Sequence, residues 1–377
     1  MGLAPSAIPN TPGSGFGDPF SPLGIKLTTC GLVLVLWTCS LLGAENRNNP
    51  YTFTFFTEND FYYGGSDRYY TNGIQLSLIS PSLHSFDQAE KYSGVDIIPS
   101  WMGRHVESMP WMKGPEKSSH VGLSLAQYMF TPEDISTPNP SREDRPYAGW
   151  LNTGFSYHAK EAFPEKNLAI LDSFEVNLGW VGPASLAENA QKTWHSIIDA
   201  QEPLGWDFQL KNEPTLNLFW QRKWALRQPL TGAIDFEWIP QYGAALGNVH
   251  IYGNVGMEVR AGYHLPADFG SSQIRGASSP PLPDGSLPVE SNPWGFHVFA
   301  GAEGRAVGRN IFLDGNTFEE SRSVDRENFM VTAKAGFGLR FDTVELSFSM
   351  VWRSKEFKGQ PESARYGSIH LTFPLFL

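Results

Sequence analysis

Phe174-Glu175-Val176-Asn177-Leu178-Gly179-Trp180 is the stretch whose reading decides the fold. Every second residue is large and apolar, and the residues between them are Glu, Asn and Gly. Strict alternation puts one kind of side chain on each face of a strand. A soluble sandwich alternates too, but its polar face carries more charge. Working outward, the pattern recurs with Phe53 and Phe55 against Thr52 and Thr54, and with Ile74, Leu76 and Leu78 against Gln75 and Ser77. It returns in Val121–Leu125, Leu151–His158, Leu216–Trp220, Ile234–Trp238, Val249–Tyr263, Phe296–Ala302, Val331–Phe341, Val344–Trp352 and Ile369–Leu377. The polar face throughout is Gly, Ser, Thr, Asn and Gln, which suits a barrel interior. Tyr and Trp gather near strand ends, like the interfacial girdles of membrane barrels. The expected fold is all-β, an antiparallel transmembrane β-barrel of about 12 strands.

The totals agree. The chain has 377 residues, of which only 18% are charged while 14% are aromatic, and it holds 37 Gly. A formal charge of −11 argues against nucleic acid as a partner, which calls for a basic patch. After residue 44 no apolar run is long enough for a membrane helix. Both cysteines, Cys30 and Cys39, lie in the one long apolar segment, which follows Lys26 and ends in Leu42-Gly43-Ala44. That is the shape of a secretory signal cleaved after Ala44, preceded by an atypical Pro/Gly/Ser-rich extension. Residues 1–44 are therefore expected to be a signal peptide and 45–377 a barrel without thiol chemistry.

Three stretches do not read as strand. Residues 81–118 are expected to be a long loop with one short helix, and the Pro/Gly/Ser-rich 266–293 a flexible loop. Residues 185–200 are expected to form a short loop helix, with Ser185 as N-cap and Glu188 completing a capping box. Leu186, Ala190, Trp194 and Ile197 would share one side of it.

Gln191 and His195 are four apart on that helix and so share a face. Histidine suits proton transfer near neutral pH, although a polar residue on a surface helix would look the same. Asn59 and Asp60 are hard oxygen donors of the kind Ca²⁺ takes, or else an Asx turn leading into Gly64-Gly65. Thr71 could hydrogen-bond a substrate or simply belong to a strand. Arg145 could meet a phosphate or an acidic neighbour. There is no HExxH zinc motif, GxSxG elbow or phosphate-binding P-loop.

As a set these motifs carry a resemblance. Glu58-Asn59-Asp60, Asp67 to Gly73, Asp144-Arg145-Pro146-Tyr147-Ala148-Gly149, Gly179 to Pro183 with Gln191 and His195, and Gly205 to Glu213 occur in order. The chain resembles the outer-membrane lipid A 3′-O-deacylases (LpxR-like) over nearly all of residues 51–377. The resemblance implies a twelve-stranded monomeric barrel in the bacterial outer membrane, acting on lipid A or lipopolysaccharide among the outer-membrane lipids. It implies a Ca²⁺-dependent esterase that removes the 3′-linked acyloxyacyl group. His195 would be the general base toward water, Asp60 and Asn59 would hold the metal beside the oxyanion, and Thr71 would line the site. Gln191 and Arg145 would contact substrate. Where the family carries a carboxylate to orient the histidine, this chain has Gln201, with Glu202 next and Glu213 further on. A phospholipase-type acyl hydrolase and a non-catalytic porin or structural barrel are the alternative expectations.

Overall fold

The alternating stretches form twelve strands, β1 (Tyr51–Asn59), β2 (Tyr69–Ile79), β3 (Lys117–Thr131), β4 (Ala148–Phe163), β5 (Leu168–Val181) and β6 (Glu213–Thr231), followed by β7 (Ile234–Gly247), β8 (His250–Tyr263), β9 (Trp294–Asn310), β10 (Phe329–Phe341), β11 (Val344–Arg353) and β12 (Ala364–Leu375). The structure, a computed structural model, describes residues 51–63, 68–82, 117–277 and 293–375. The signal segment 1–44, the Gly64-Gly65 tip and most of the 81–118 loop lie outside the described residues.

Each strand pairs antiparallel with its sequence neighbour, and β1 closes on β12 from Tyr51–Leu375 to Asn59–Gly367. Closure removes the sheet edges, which is what a strand-built membrane protein needs, since lipid offers no partner to an open N–H or C=O. The side chains sort as the alternation requires. Gln75, Ser77, Ser124, Asn152 and Asn177 are buried in the interior. Leu76, Leu125, Leu178, Leu216 and Val255 are exposed on the outside. No helix among the described residues is long and apolar enough to cross a membrane.

The interior is not an open channel. Between β8 and β9 the chain turns back into the lumen, and residues 264–277 form a strap packed against the walls. The main-chain N–H groups of Ser271, Ile274 and Ala277 donate to Glu258 (2.9 Å), Glu58 (3.0 Å) and Glu175 (2.9 Å). Arg275 Nη1 donates to both oxygens of Glu303, at 2.7 and 2.6 Å, and Lys223 Nζ donates to the Phe269 carbonyl at 3.2 Å. Gly270 sits at φ +79, and a Cβ there would lie 2.6 Å from a Glu258 oxygen. Only glycine meets both demands.

This corrects the expectation of a flexible loop over 266–293, as far as the described residues 266–277 go. Gly, Pro and Ser do exclude a strand there. Order comes instead from carboxylates on distant strands, which would be costly to bury without donors.

Candidate active site

β4 leaves its rim through Gly149, and the site is assembled on the outer face there. The chain after β5 turns at Gly182 (φ +94) into a 3₁₀ turn, Pro183–Ser185, and then into helix α1 (Ala187–Ile198). A Cβ on Gly149 would lie 2.1 Å from Ser185 Oγ and 2.3 Å from Ala187 Cβ. Its absence lets the helix start sit flush on β4. Gln127 Nε2 secures the same turn by donating to the Ser185 carbonyl at 2.7 Å. The helix packs on β3 and β4, where Met129, Ile135, Tyr147, Ala187 and Trp206 form one apolar cluster.

The capping box expected at Ser185 and Glu188 is not formed. Leu186, at φ 59, precedes the helix, and no side chain caps it. Pro183 forces the tighter turn, whose bonds run from Ser185 N–H to Gly182 O (2.9 Å) and from Leu186 N–H to Pro183 O (3.0 Å). Glu188 is freed to accept from Lys192 at 2.7 Å and from Gln209 at 3.3 Å.

The helix buries its polar side. Gln191 and His195 are 2% and 4% exposed, whereas Trp194 and Ile197 are 49% and 63% exposed. So the two residues expected to share a face do, and that face is turned inward rather than to solvent. Gln191 Oε1 accepts from Trp206 Nε1 at 2.8 Å, and its Nε2 has no partner among the described residues. His195 Nδ1 is hydrogen-bonded to the Gln201 carbonyl. A carbonyl only accepts, so Nδ1 carries the proton and Nε2 is left with its lone pair. The Gln201 side chain points elsewhere, with Nε2 donating to the Glu202 carbonyl at 3.2 Å. Glu213 is occupied by Asn248 (2.8 Å) and Thr317 (2.6 Å). The main-chain carbonyl of Gln201 thus holds the imidazole at Nδ1.

Strand register fixes where Asn59, Asp60 and Thr71 lie relative to that helix. Asn59 pairs with Asn72, Asn72 with Met129, and Met129 with Gly149, in one row across β1 to β4. Glu58 faces the lumen, so alternation points Asn59 outward, toward the side on which α1 packs. Two strand spacings, about 10 Å, separate Asn59 from Met129. A β-bulge falls between Tyr70 and Asn72, and the bulged Thr71 turns its hydroxyl to Thr131 Oγ1 at 2.6 Å. Bulges re-aim side chains in this way. Asn59 Oδ1 accepts from the Phe61 N–H (2.7 Å), which is an Asx turn, and Asp60 Oδ2 accepts from the Arg68 N–H (2.9 Å). The turn and the donor pair are one arrangement, because each oxygen keeps further lone pairs. Asn59 and Asp60 bring two hard oxygen-donor side chains together there, against the roughly 6–8 oxygens of a full Ca²⁺ shell. Among the described residues no cluster of three or more His, Cys, Asp or Glu is gathered.

Arg145 is fully buried, paired with Glu356 at 3.1 Å, with its guanidinium 4.7 Å from the Phe130 ring centre. Of the two expectations for it, the structure displays the acidic neighbour. Burial pulls its pKa down while Glu356 opposes that. Burial also pushes up the neighbouring Asp144 carboxyl, which accepts the N–H groups of Glu133 and Arg145 at 2.7 Å each. Trp206 stood in the Gly205 to Glu213 motif without a role, and its indole fixes Gln191.

A closed antiparallel barrel of twelve strands with an apolar exterior is the architecture of an outer-membrane barrel. More narrowly, the chain belongs to the LpxR family: the family's sequence pattern, described as outer membrane protein LpxR, matches residues 30–375. That membership places it in the bacterial outer membrane among enzymes that modify lipid A. LpxR from Salmonella typhimurium has the same fold, with a TM-score of 0.62 at 19% identity over 86% of this chain and 100% of that one. The beta domain of the Bordetella autotransporter BrkA is 10% identical, with a TM-score of 0.43 over 87% of this chain and 99% of that one. No curated protein matches this chain.

Proposed function

We propose that this chain is a lipid A 3′-O-deacylase, hydrolysing the ester of the 3′-linked acyloxyacyl group with an activated water. The observation that carries the reading is the imidazole of His195, held by the Gln201 carbonyl so that Nε2 is the basic nitrogen. Nε2 takes a proton from water, the water oxygen bonds to the ester carbonyl carbon, and collapse expels the sugar oxygen, which takes up that proton. No acyl-enzyme is formed, so no protein nucleophile is required. The unpartnered Gln191 Nε2 is a donor for substrate on the same helix face. Asn59 and Asp60 would hold Ca²⁺, which when bound would polarise the ester carbonyl and offset charge on the oxyanion. Thr71 lines the same outer wall, next to the row that joins Asn59 to the helix. The strap across the lumen supports an enzyme over a porin, since it occupies the path a solute would take.

Mass spectrometry of lipid A from cells expressing the parent chain or His195→Ala tests this. Loss of one acyloxyacyl unit with the parent only is expected, together with loss of that change in excess EGTA. Unchanged lipid A, with fatty acid released from phospholipid, would assign the chain to the phospholipase-type alternative.

A further inference from the structure

We infer that helix α1 lies in the outer-leaflet interface with one flank immersed in lipid, so that the membrane itself is a binding partner of the site wall. At roughly 100° per residue, the helix divides into three arcs around its axis. Ala187, Gln191 and His195 face the barrel. On one side of that arc follow Trp194, Ile197 and Leu186, which are 49%, 63% and 55% exposed. On the other side follow Glu188, Lys192, Ser196 and Asn189, with Lys192 paired to Glu188 at 2.7 Å.

A soluble surface helix has one outward face, and that face is polar. Here the outward surface is split between an apolar and a charged half, which is the pattern of a helix lying in an interfacial plane. The apolar half is continuous with the established lipid-facing surface. Trp180 and Leu178, 49% and 48% exposed, face outward on β5, and the chain runs from Val181 directly into the turn that starts the helix. Tryptophan at a strand end marks the headgroup level of a barrel. α1 is therefore set at the depth where acyl chains meet headgroups, with Ala187 next to the apolar flank and His195 on the charged side of the barrel-facing arc. This stands on the outer-membrane placement and not on the hydrolysis proposed above.

The experiment is spin-label accessibility in the full chain. The only two cysteines are Cys30 and Cys39, so Cys30→Ser with Cys39→Ser gives a background for single labels. Ile197→Cys and Lys192→Cys are each labelled and reconstituted in dilauroylphosphatidylcholine vesicles, with heat-modifiable migration confirming the folded barrel. Relaxation of the 197 label is expected to respond more to oxygen, which partitions into lipid, than to a water-soluble nickel chelate, with the reverse order at 192. Equal nickel accessibility at the two positions would overturn the proposal. So would shielding of 197 from both reagents, or spin–spin broadening between copies, since each means that protein covers the flank. These readouts are independent of any ester hydrolysis, so either idea can fail alone.

Discussion

Inside the barrel, Glu58, Glu175 and Glu258 each accept a main-chain N–H of the strap, and Glu303 takes Arg275 and Arg305 together. Outside the rim, on the other face of the same wall, Gln191 Nε2 has no partner among the described residues, and His195 is held through Nδ1 by the Gln201 carbonyl. Both assemblies are buried and polar, and both depend on a segment brought from elsewhere in the chain. Those four interior carboxylates are each engaged by donors, so they hold the fold. The rim is incomplete, and an unsatisfied buried donor beside a basic nitrogen is stable only where a ligand or water completes it. The same wall thus separates a structural polar core from a reactive one.

The largest expected effect breaks the reactive side alone. His195→Ala should lower ester hydrolysis by about 10²–10⁴-fold, the range a positioned general base supplies. Heat-modifiable migration should be unchanged, and release of fatty acid at the parent rate would remove the base from His195.

Next is the interior side. Glu303→Ala strands two guanidinium groups in the lumen and should cost about 3–5 kcal/mol of stability, read from urea unfolding in lipid vesicles. The surviving folded fraction should still hydrolyse ester at the parent rate. A drop in specific activity matching the stability loss would mean that the two assemblies are coupled.

Gly149→Val sits on the boundary between them. The added side chain must displace the Ser185 turn, and a shift of about 1 Å at the helix is expected to lower turnover by about 10²-fold with the barrel intact. Parent activity in that variant would show that the helix is not set by its seat on β4.

The smallest effect sharpens the reading of His195. Gln201→Ala keeps the orienting carbonyl, so the change should stay within about 0.5 kcal/mol, as for an uninvolved surface side chain. A loss as deep as that of His195→Ala would transfer the orienting role to the amide side chain.

The barrel was legible in the sequence because alternation is a local signal: Phe174 to Trp180 and its eleven counterparts each state their two faces without reference to the rest. The helix was legible in place but not in its start. Ser185 and Glu188 have the spacing of a capping box, yet Gly182-Pro183 commits the preceding residues to a 3₁₀ turn first. Of the two readings of Asn59 and Asp60, the structure displays the Asx turn, in which Asn59 Oδ1 accepts from the Phe61 N–H.

What the sequence by itself determined was the number of strands, their two faces, and the sharing of one helix face by Gln191 and His195. All of these follow from periods of about two and 3.6 residues in the chain itself. Only the tertiary structure decided which way that helix face turns, which group orients His195, and that residues 266–277 fill the lumen instead of leaving it. Those outcomes depend on partners far apart in sequence, such as Ile274 with Glu58 and Ala277 with Glu175. A buried carboxylate or imidazole takes whatever donor or acceptor closure brings to it, and no local pattern records that choice.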